Sequence, residues 1–139
     1  MNDKNAGFRE VDHTADLEIE IWGESLEALF KQAALGMNKL LEIRWKPDQE
    51  ALPVRQFAVE AIDEEGLLVS FLSELLYLLE EEGLAGKVFA ITVAEDQLQA
   101  EVSCGRVESF SRDIKAVTYH RLNIRRRDGR LEANLVFDI

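Results

Sequence analysis

Leu67, Leu68, Phe71, Leu72, Leu75, Leu76 and Leu79 recur every three to four residues. That period lays them along one side of an α-helix as a wide apolar stripe. Such a helix must be covered by other apolar elements, so it fixes the class of fold more firmly than any other segment. Asp63 stands where the helix N-cap belongs, with Glu64 and Glu65 at the positive end of the helix dipole. Gly83 can end the helix in the left-handed conformation. Glu80, Glu81 and Glu82 lie at the wrong end for the dipole and read as a solvated acidic end with no assigned role. Each costs about 0.3–1 kcal/mol when exposed.

A second amphipathic helix is predicted over 26–41, from the spacing of Leu26, Leu29, Phe30, Ala33, Met37, Leu40 and Leu41, with Ser25 as its cap. It follows Leu17–Trp22, where Leu17, Ile19 and Ile21 alternate with Glu18, Glu20 and Trp22, a half-buried strand. Residues 44–53 hold both prolines and read as a loop, and Gln56–Ile62 alternates weakly. Val88–Val93 and Leu98–Val102 flank Glu95-Asp96 as a hairpin, and residues 106–114 look irregular. Ala116–Arg125 and Leu131–Phe137 flank Asp128-Gly129. An Asp-Gly pair between alternating runs is a strong hairpin signal, because a type I′ turn needs positive φ. The expected order is β-α-β-α followed by two β-hairpins. This is a two-layer α+β fold with two amphipathic helices packed on one face of a largely antiparallel sheet. The 139 residues suit a single domain, with 1–7 expected to form a flexible tail.

Composition narrows the function. The chain is 47% hydrophobic and 31% charged, enough for one core and unlike a disordered chain. No apolar run approaches the roughly 18 residues of a membrane helix. Met1–Glu10 has no apolar stretch of the signal-peptide kind, and the expectation is a cytoplasmic protein with no membrane partner. The single cysteine, Cys104, excludes an internal disulfide framework and a Cys-rich zinc site; it reads as structural, and no disulfide-linked partner is expected. The net charge of −11 argues against holding nucleic acid mainly by electrostatics. Yet residues 104–139 carry 8 basic and 5 acidic side chains, among them Arg121, Arg125, Arg126, Arg127 and Arg130. Two readings fit: positive charges that blunt an edge strand, or a docking patch for RNA or an acidic protein surface.

Three segments hold residues suited to chemistry. Asp12-His13-Thr14-Ala15-Asp16 gathers two carboxylates, a hydroxyl and an imidazole just before a strand, which suits a hard cation but also an ordinary turn. Asp138-Ile139 sets a side-chain carboxylate one residue from the terminal one, and the two repel unless a cation or arginine neutralises them. The bland alternative is a frayed terminus, against which stands the well-formed strand leading into the pair. Lys115-Ala116-Val117-Thr118-Tyr119-His120 places Lys115, Val117 and Tyr119 on one strand face and Ala116, Thr118 and His120 on the other, with Tyr and His fitting a core or half-buried edge better than a catalytic role. No Gly-rich phosphate loop, serine elbow or His-x-x-x-His pattern is present.

In this order and at these distances the segments resemble the archease family. Asp12–Asp16, the strand Leu17–Trp22 and the helix start Gly23–Leu26 look like its opening, and Phe71–Leu78 matches its second helix. Lys115–His120 matches its Lys-Ala-x-Thr-Tyr-His segment, and the chain ends on an acidic then an aliphatic residue, as archeases do. Archeases often have Glu before the His; Asp12 keeps the charge and shortens the reach by one methylene. The resemblance implies a non-catalytic partner of the GTP-dependent tRNA-splicing RNA ligase, which joins a 2′,3′-cyclic phosphate or 3′-phosphate end to a 5′-hydroxyl. The partner promotes guanylylation of the ligase histidine and multiple turnover, and meets RNA only through the ligase. It also implies a divalent cation, calcium first and magnesium or manganese otherwise. By matching position its ligands would be Asp16, Asp138 and the terminal carboxylate of Ile139, with Asp12, His13, Lys115 and His120 in support. Two other functions remain open from the residues alone. One is a stand-alone metal-dependent phosphoesterase; the other is an RNA-binding or chaperone-like module using the Arg-rich hairpin.

Overall fold

The computed structural model describes residues 5–11, 16–47 and 51–139. Its elements run β1 (Gly7–Val11), β2 (Leu17–Gly23), α1 (Leu26–Leu41), β3 (Arg44–Trp45), β4 (Val54–Glu60), α2 (Glu64–Glu82), β5 (Leu84–Ala94), β6 (Gln97–Ser109), β7 (Ala116–Thr118), β8 (Arg125–Arg127) and β9 (Arg130–Asp138). The α+β class holds, with two helices and antiparallel strand pairing throughout.

Both helices begin and end where their side chains require. Ser25 Oγ accepts from the Ala28 N–H at 3.1 Å and Asp63 Oδ1 from the Gly66 N–H at 2.7 Å, each satisfying a donor that the first turn leaves open. Gly83 ends α2 at φ 66°, and its N–H donates to Leu79 O at 3.0 Å. Asp63→Ala is expected to destabilise the protein by about 1 kcal/mol, read as a lower urea midpoint at unchanged slope.

The strands fall into two sheets rather than one. One runs β1-β2-β9-β7, with β8 also on β9; in the other, β6 pairs with β3, β4 and β5. Each helix touches both sheets, α1 against β1, β2, β9 and β5, and α2 against β4, β5, β6 and β7, so the helices do not simply cover one face. The core carries Phe30, Phe71, Phe137, Ile19, Ile21 and Leu72, all at 1% exposure or less.

Several boundaries depart from the alternation. β1 precedes the first expected strand, and Gly7, assigned above to a tail, is buried within it. β3 lies inside the expected 44–53 loop, β4 begins two residues earlier than the weak alternation indicated, and β6 runs on to Ser109 through part of the segment read as irregular. The run 116–125 is two strands. Val117 pairs with Phe137 and Arg126 with Leu131, so nine residues on one side span six on β9 and three are extruded. The Thr118 hydroxyl donates to Val136 O at 2.9 Å and accepts from the His120 N–H at 3.2 Å, which bends the chain off the ladder. A turn then closes from the Leu122 N–H to Tyr119 O at 3.0 Å, with Arg121 at φ 54°. Glu65 Oε2 in the first turn of α2 accepts the Ile124 N–H at 2.9 Å and fixes the far side of the loop. The Asp-Gly turn is as expected, with Asp128 at φ 52° and Gly129 at φ 75°.

The acidic end of α2 has a partner that its sequence does not announce. Glu82 Oε1 lies 2.6 Å from Arg55 Nη2 on β4. The Arg55 hydrogen bond holds the Glu82 carboxyl below the usual carboxylate range. Its contribution is therefore present above that range and lost as pH falls through the lowered value. Both groups are exposed, so the effect is small and salt-screened.

Candidate functional site at the shared end of β2, β7 and β9

β9 is the central strand of its sheet, with β2 along one edge and β7 along the other near its end. Its ladder with β2 pairs Leu17 with Phe137. Asp16 immediately precedes Leu17 and Asp138 immediately follows Phe137, so both stand at this end of the sheet. On the other edge Ala116 pairs with Asp138, and the Lys115 N–H donates to Asp138 O at 2.7 Å. Asp16, Asp138 and Lys115 are thereby brought to one end of one sheet, Asp16 from the start of the chain and the other two from its end. All three are exposed, as is Ile139 at 46%. Asp12 and His13 lie outside the described residues. His120 does not join the strand. It is exposed in the turn after β7, and Tyr119 beside it is 59% exposed, so neither belongs to the core as the alternation had suggested.

The donor set fits a hard divalent cation in kind: accessible carboxylate oxygens, with no thiolate and no imidazole among the described members. Among the described residues no three His, Cys, Asp or Glu side chains are grouped closely enough to enclose a metal. A cation here would need ligands beyond the side chains of Asp16 and Asp138.

One nearby acid escaped the sequence reading. Glu18 is only 7% exposed, although its place in the alternation is the solvent side. Its Oε2 accepts from Asn134 Nδ2 at 2.9 Å, and Arg121 Nη2 lies 3.9 Å from its Oε1. The signal available was Asn134, an amide on a strand, but its pairing with β2 is visible only once the register is known.

The arginines of the C-terminal hairpin are engaged within the fold. Arg130 Nη2 meets Glu132 Oε2 at 2.8 Å, and Arg130 Cζ lies 5.5 Å from the Trp22 ring centroid; Arg127 reaches Glu132 Oε1 at 3.5 Å. Arg126 is 3.6 Å from Glu64, and Arg125 reaches Asn134 Oδ1 at 3.4 Å. Glu132, 7% exposed, takes two of these cations, so this face is an ion-pair network on the sheet more than a bare positive patch.

Cys104 is fully buried in β6, with Sγ 3.5 Å from Val102 O. Burial pushes its thiol pKa up. Native protein is expected to leave the thiol unmodified by a disulfide reagent at neutral pH over minutes, with full reaction in urea. Rapid labelling of the native state would contradict the structural role.

Residues 8–139 match the family described as the Archease protein family (MTH1598/TM1083). Similar curated relatives named "Protein archease" include one from Thermococcus gammatolerans, 34% identical over 143 residues, covering 95% of this chain and 98% of that one. Another, from Methanosarcina barkeri, is 30% identical over 149 residues and the whole of both chains. The solution structure of Methanobacterium thermoautotrophicum protein 1598 superposes with a TM-score of 0.74 at 28% identity, covering 96% of this chain and 99% of that one. The crystal structure of a Thermotoga maritima archease, described there as a possible chaperone, shares the fold with a TM-score of 0.69 at 22% identity, over 94% and 96%.

Proposed function

We propose, on the premise that this chain belongs to the archease family, that it is an accessory protein which activates a GTP-dependent RNA ligase of the tRNA-splicing kind. In this reading it promotes guanylylation of the ligase and its multiple turnover, and performs no covalent step itself. The observation that supports the reading is the Leu17–Phe137 pair, whose chain neighbours Asp16 and Asp138 stand at one exposed sheet end. Asp16, Asp138 and the terminal carboxylate of Ile139 would hold a divalent cation, calcium first and magnesium or manganese otherwise, with Asp12 and His13 able to add ligands. A bound cation would offset the repulsion among these carboxylates and supply a centre of positive charge for the phosphates of a nucleotide at the ligase.

The chain's own residues hold the acids in place. The Lys115 N–H to Asp138 O bond and the Ala116–Asp138 pair hold the last strand residue on the β7 edge, which limits fraying of the terminus. Lys115, exposed one residue before β7, brings a positive charge to the same sheet end. The Thr118 hydroxyl turns the chain so that His120 sits just beyond the strand. Docking by exposed carboxylates around a cation needs no wide apolar interface, and long-range attraction to a basic ligase cleft fits a chain of charge −11.

The test is single-turnover guanylylation of a cognate ligase with and without this protein. Faster guanylylation, together with multiple rounds of ligation, is the expected result. An unchanged ligase, or hydrolysis of a phosphoester by this protein alone, would replace the reading.

A further inference from the structure

A cavity of about 750 Å³ opens between the C-terminal half of α1 and strands β1, β3 and β5, and none of the sheet-end residues above lines it. Its polar wall carries Lys39, Arg44, Lys87 and Arg112 against two acids, Glu10 and Glu42. Arg112 takes up both acids, with Nη1 3.4 Å from Glu10 and Nε 3.2 Å from Glu42. Among the described residues no carboxylate pairs with Lys39, Arg44 or Lys87 within 4 Å. Three exposed cations around one cavity form a local positive field on a chain whose total charge is −11. The same cavity holds a flat aromatic wall. Trp45 is half-buried, and Lys87 Nζ stands 4.6 Å from its ring centroid. A Cβ on Gly105 would come within 2.7 Å of both the Trp45 ring and Lys87 Cε. Glycine there lets the ring and the lysine stem lie against the backbone of β6.

An indole wall beside three flexible cations matches a ligand that joins a planar ring to several negative charges. We propose that this cavity binds a free purine nucleotide, its base against Trp45 and its phosphates among Arg44, Lys87 and Lys39. The size suits a small molecule of that class. The carbonyl end of α1 lies on the cavity and opposes an anion, which Lys39 in the last turn offsets. A polynucleotide would carry its other phosphates across a surface of net negative charge, so the free nucleotide is the favoured source of this chemistry.

The test is calorimetric titration with ATP, GTP, adenosine, tripolyphosphate and a six-nucleotide RNA. EDTA is present throughout, so that no cation at the sheet end can bridge to phosphate and the outcome is independent of the ligase reading. ATP or GTP is expected to bind, and adenosine and tripolyphosphate each at least tenfold more weakly. Arg44→Glu with Lys87→Glu should weaken the nucleotide at least tenfold with an unchanged melting curve, since both side chains are exposed. Trp45→Leu should bring nucleotide affinity down to that of tripolyphosphate. Failure of both nucleotides to bind, tripolyphosphate binding as tightly as they do, RNA binding more tightly than either, or indifference to both substitutions would each overturn the assignment.

Discussion

Asp138→Asn is expected to weaken divalent-cation binding by about 100-fold or more and to remove ligase stimulation, while the fold survives. Even residues that only orient a metal ligand cost about 10–100-fold in affinity when lost, and Asp138 would be a ligand itself. Asparagine keeps the size and removes the charge. The side chain is exposed, and the backbone oxygen of residue 138 still accepts the Lys115 N–H, so the ladder on either edge of β9 stays intact. Calcium calorimetry, a melting curve and a guanylylation assay separate the three quantities. A variant that melts like wild type but neither binds calcium nor stimulates is the expected result. A variant with wild-type stimulation would remove the cation from the mechanism.

Phe71→Ala is the largest structural effect expected, about 3–5 kcal/mol. Phe71 is fully buried in the middle of α2 and meets Phe57 of β4 edge to face, with ring centroids 6.5 Å apart. Truncation leaves a cavity between helix and sheet that backbone cannot close, and forfeits the aromatic pair as well. A typical domain has only about 5–15 kcal/mol in total, so the midpoint of thermal unfolding should fall by roughly 10–20 °C. Phe57→Leu, at a half-buried ring, should cost less than half as much. Equal costs at the two positions would mean that the α2 stripe does not dominate the core.

The contrast between these two residues shows where the sequence is informative. The α2 stripe and its caps are legible because period, Asp63 and Gly83 act within a few residues of each other, as do Asp128 and Gly129 in the hairpin turn. What decided the rest lies far apart in the chain. The run 116–125 keeps alternating where the structure breaks it, because Thr118 bonds locally and Glu65 of α2 captures Ile124, 59 residues away. The division into two sheets is set by β2 joining β9, a pairing of residue 17 with residue 137 that no local pattern announces. The buried Glu18 is concealed for the same reason, since its partner Asn134 arrives with β9. At the sheet end, spacing alone reads Asp12–Asp16 sooner as an ordinary turn than as a ligand set, and the strand Leu131–Phe137 argues for a held terminus over a frayed one. The family resemblance joined the two, and the β2–β9 register brings their chain neighbours Leu17 and Phe137 together. Glu82, read from composition as an idle charge, is tied to Arg55 across a helix–sheet contact for which the helix sequence holds no sign.

The measurement that bears most directly on the function proposed here is a crystal structure grown with abundant calcium. One ion should sit between Asp16 and Asp138, with the carboxylate that ends the chain at Ile139 among its ligands and refined distances of about 2.3–2.6 Å. Calcium bound elsewhere, or a final dipeptide turned away from Asp16 under those conditions, would contradict it.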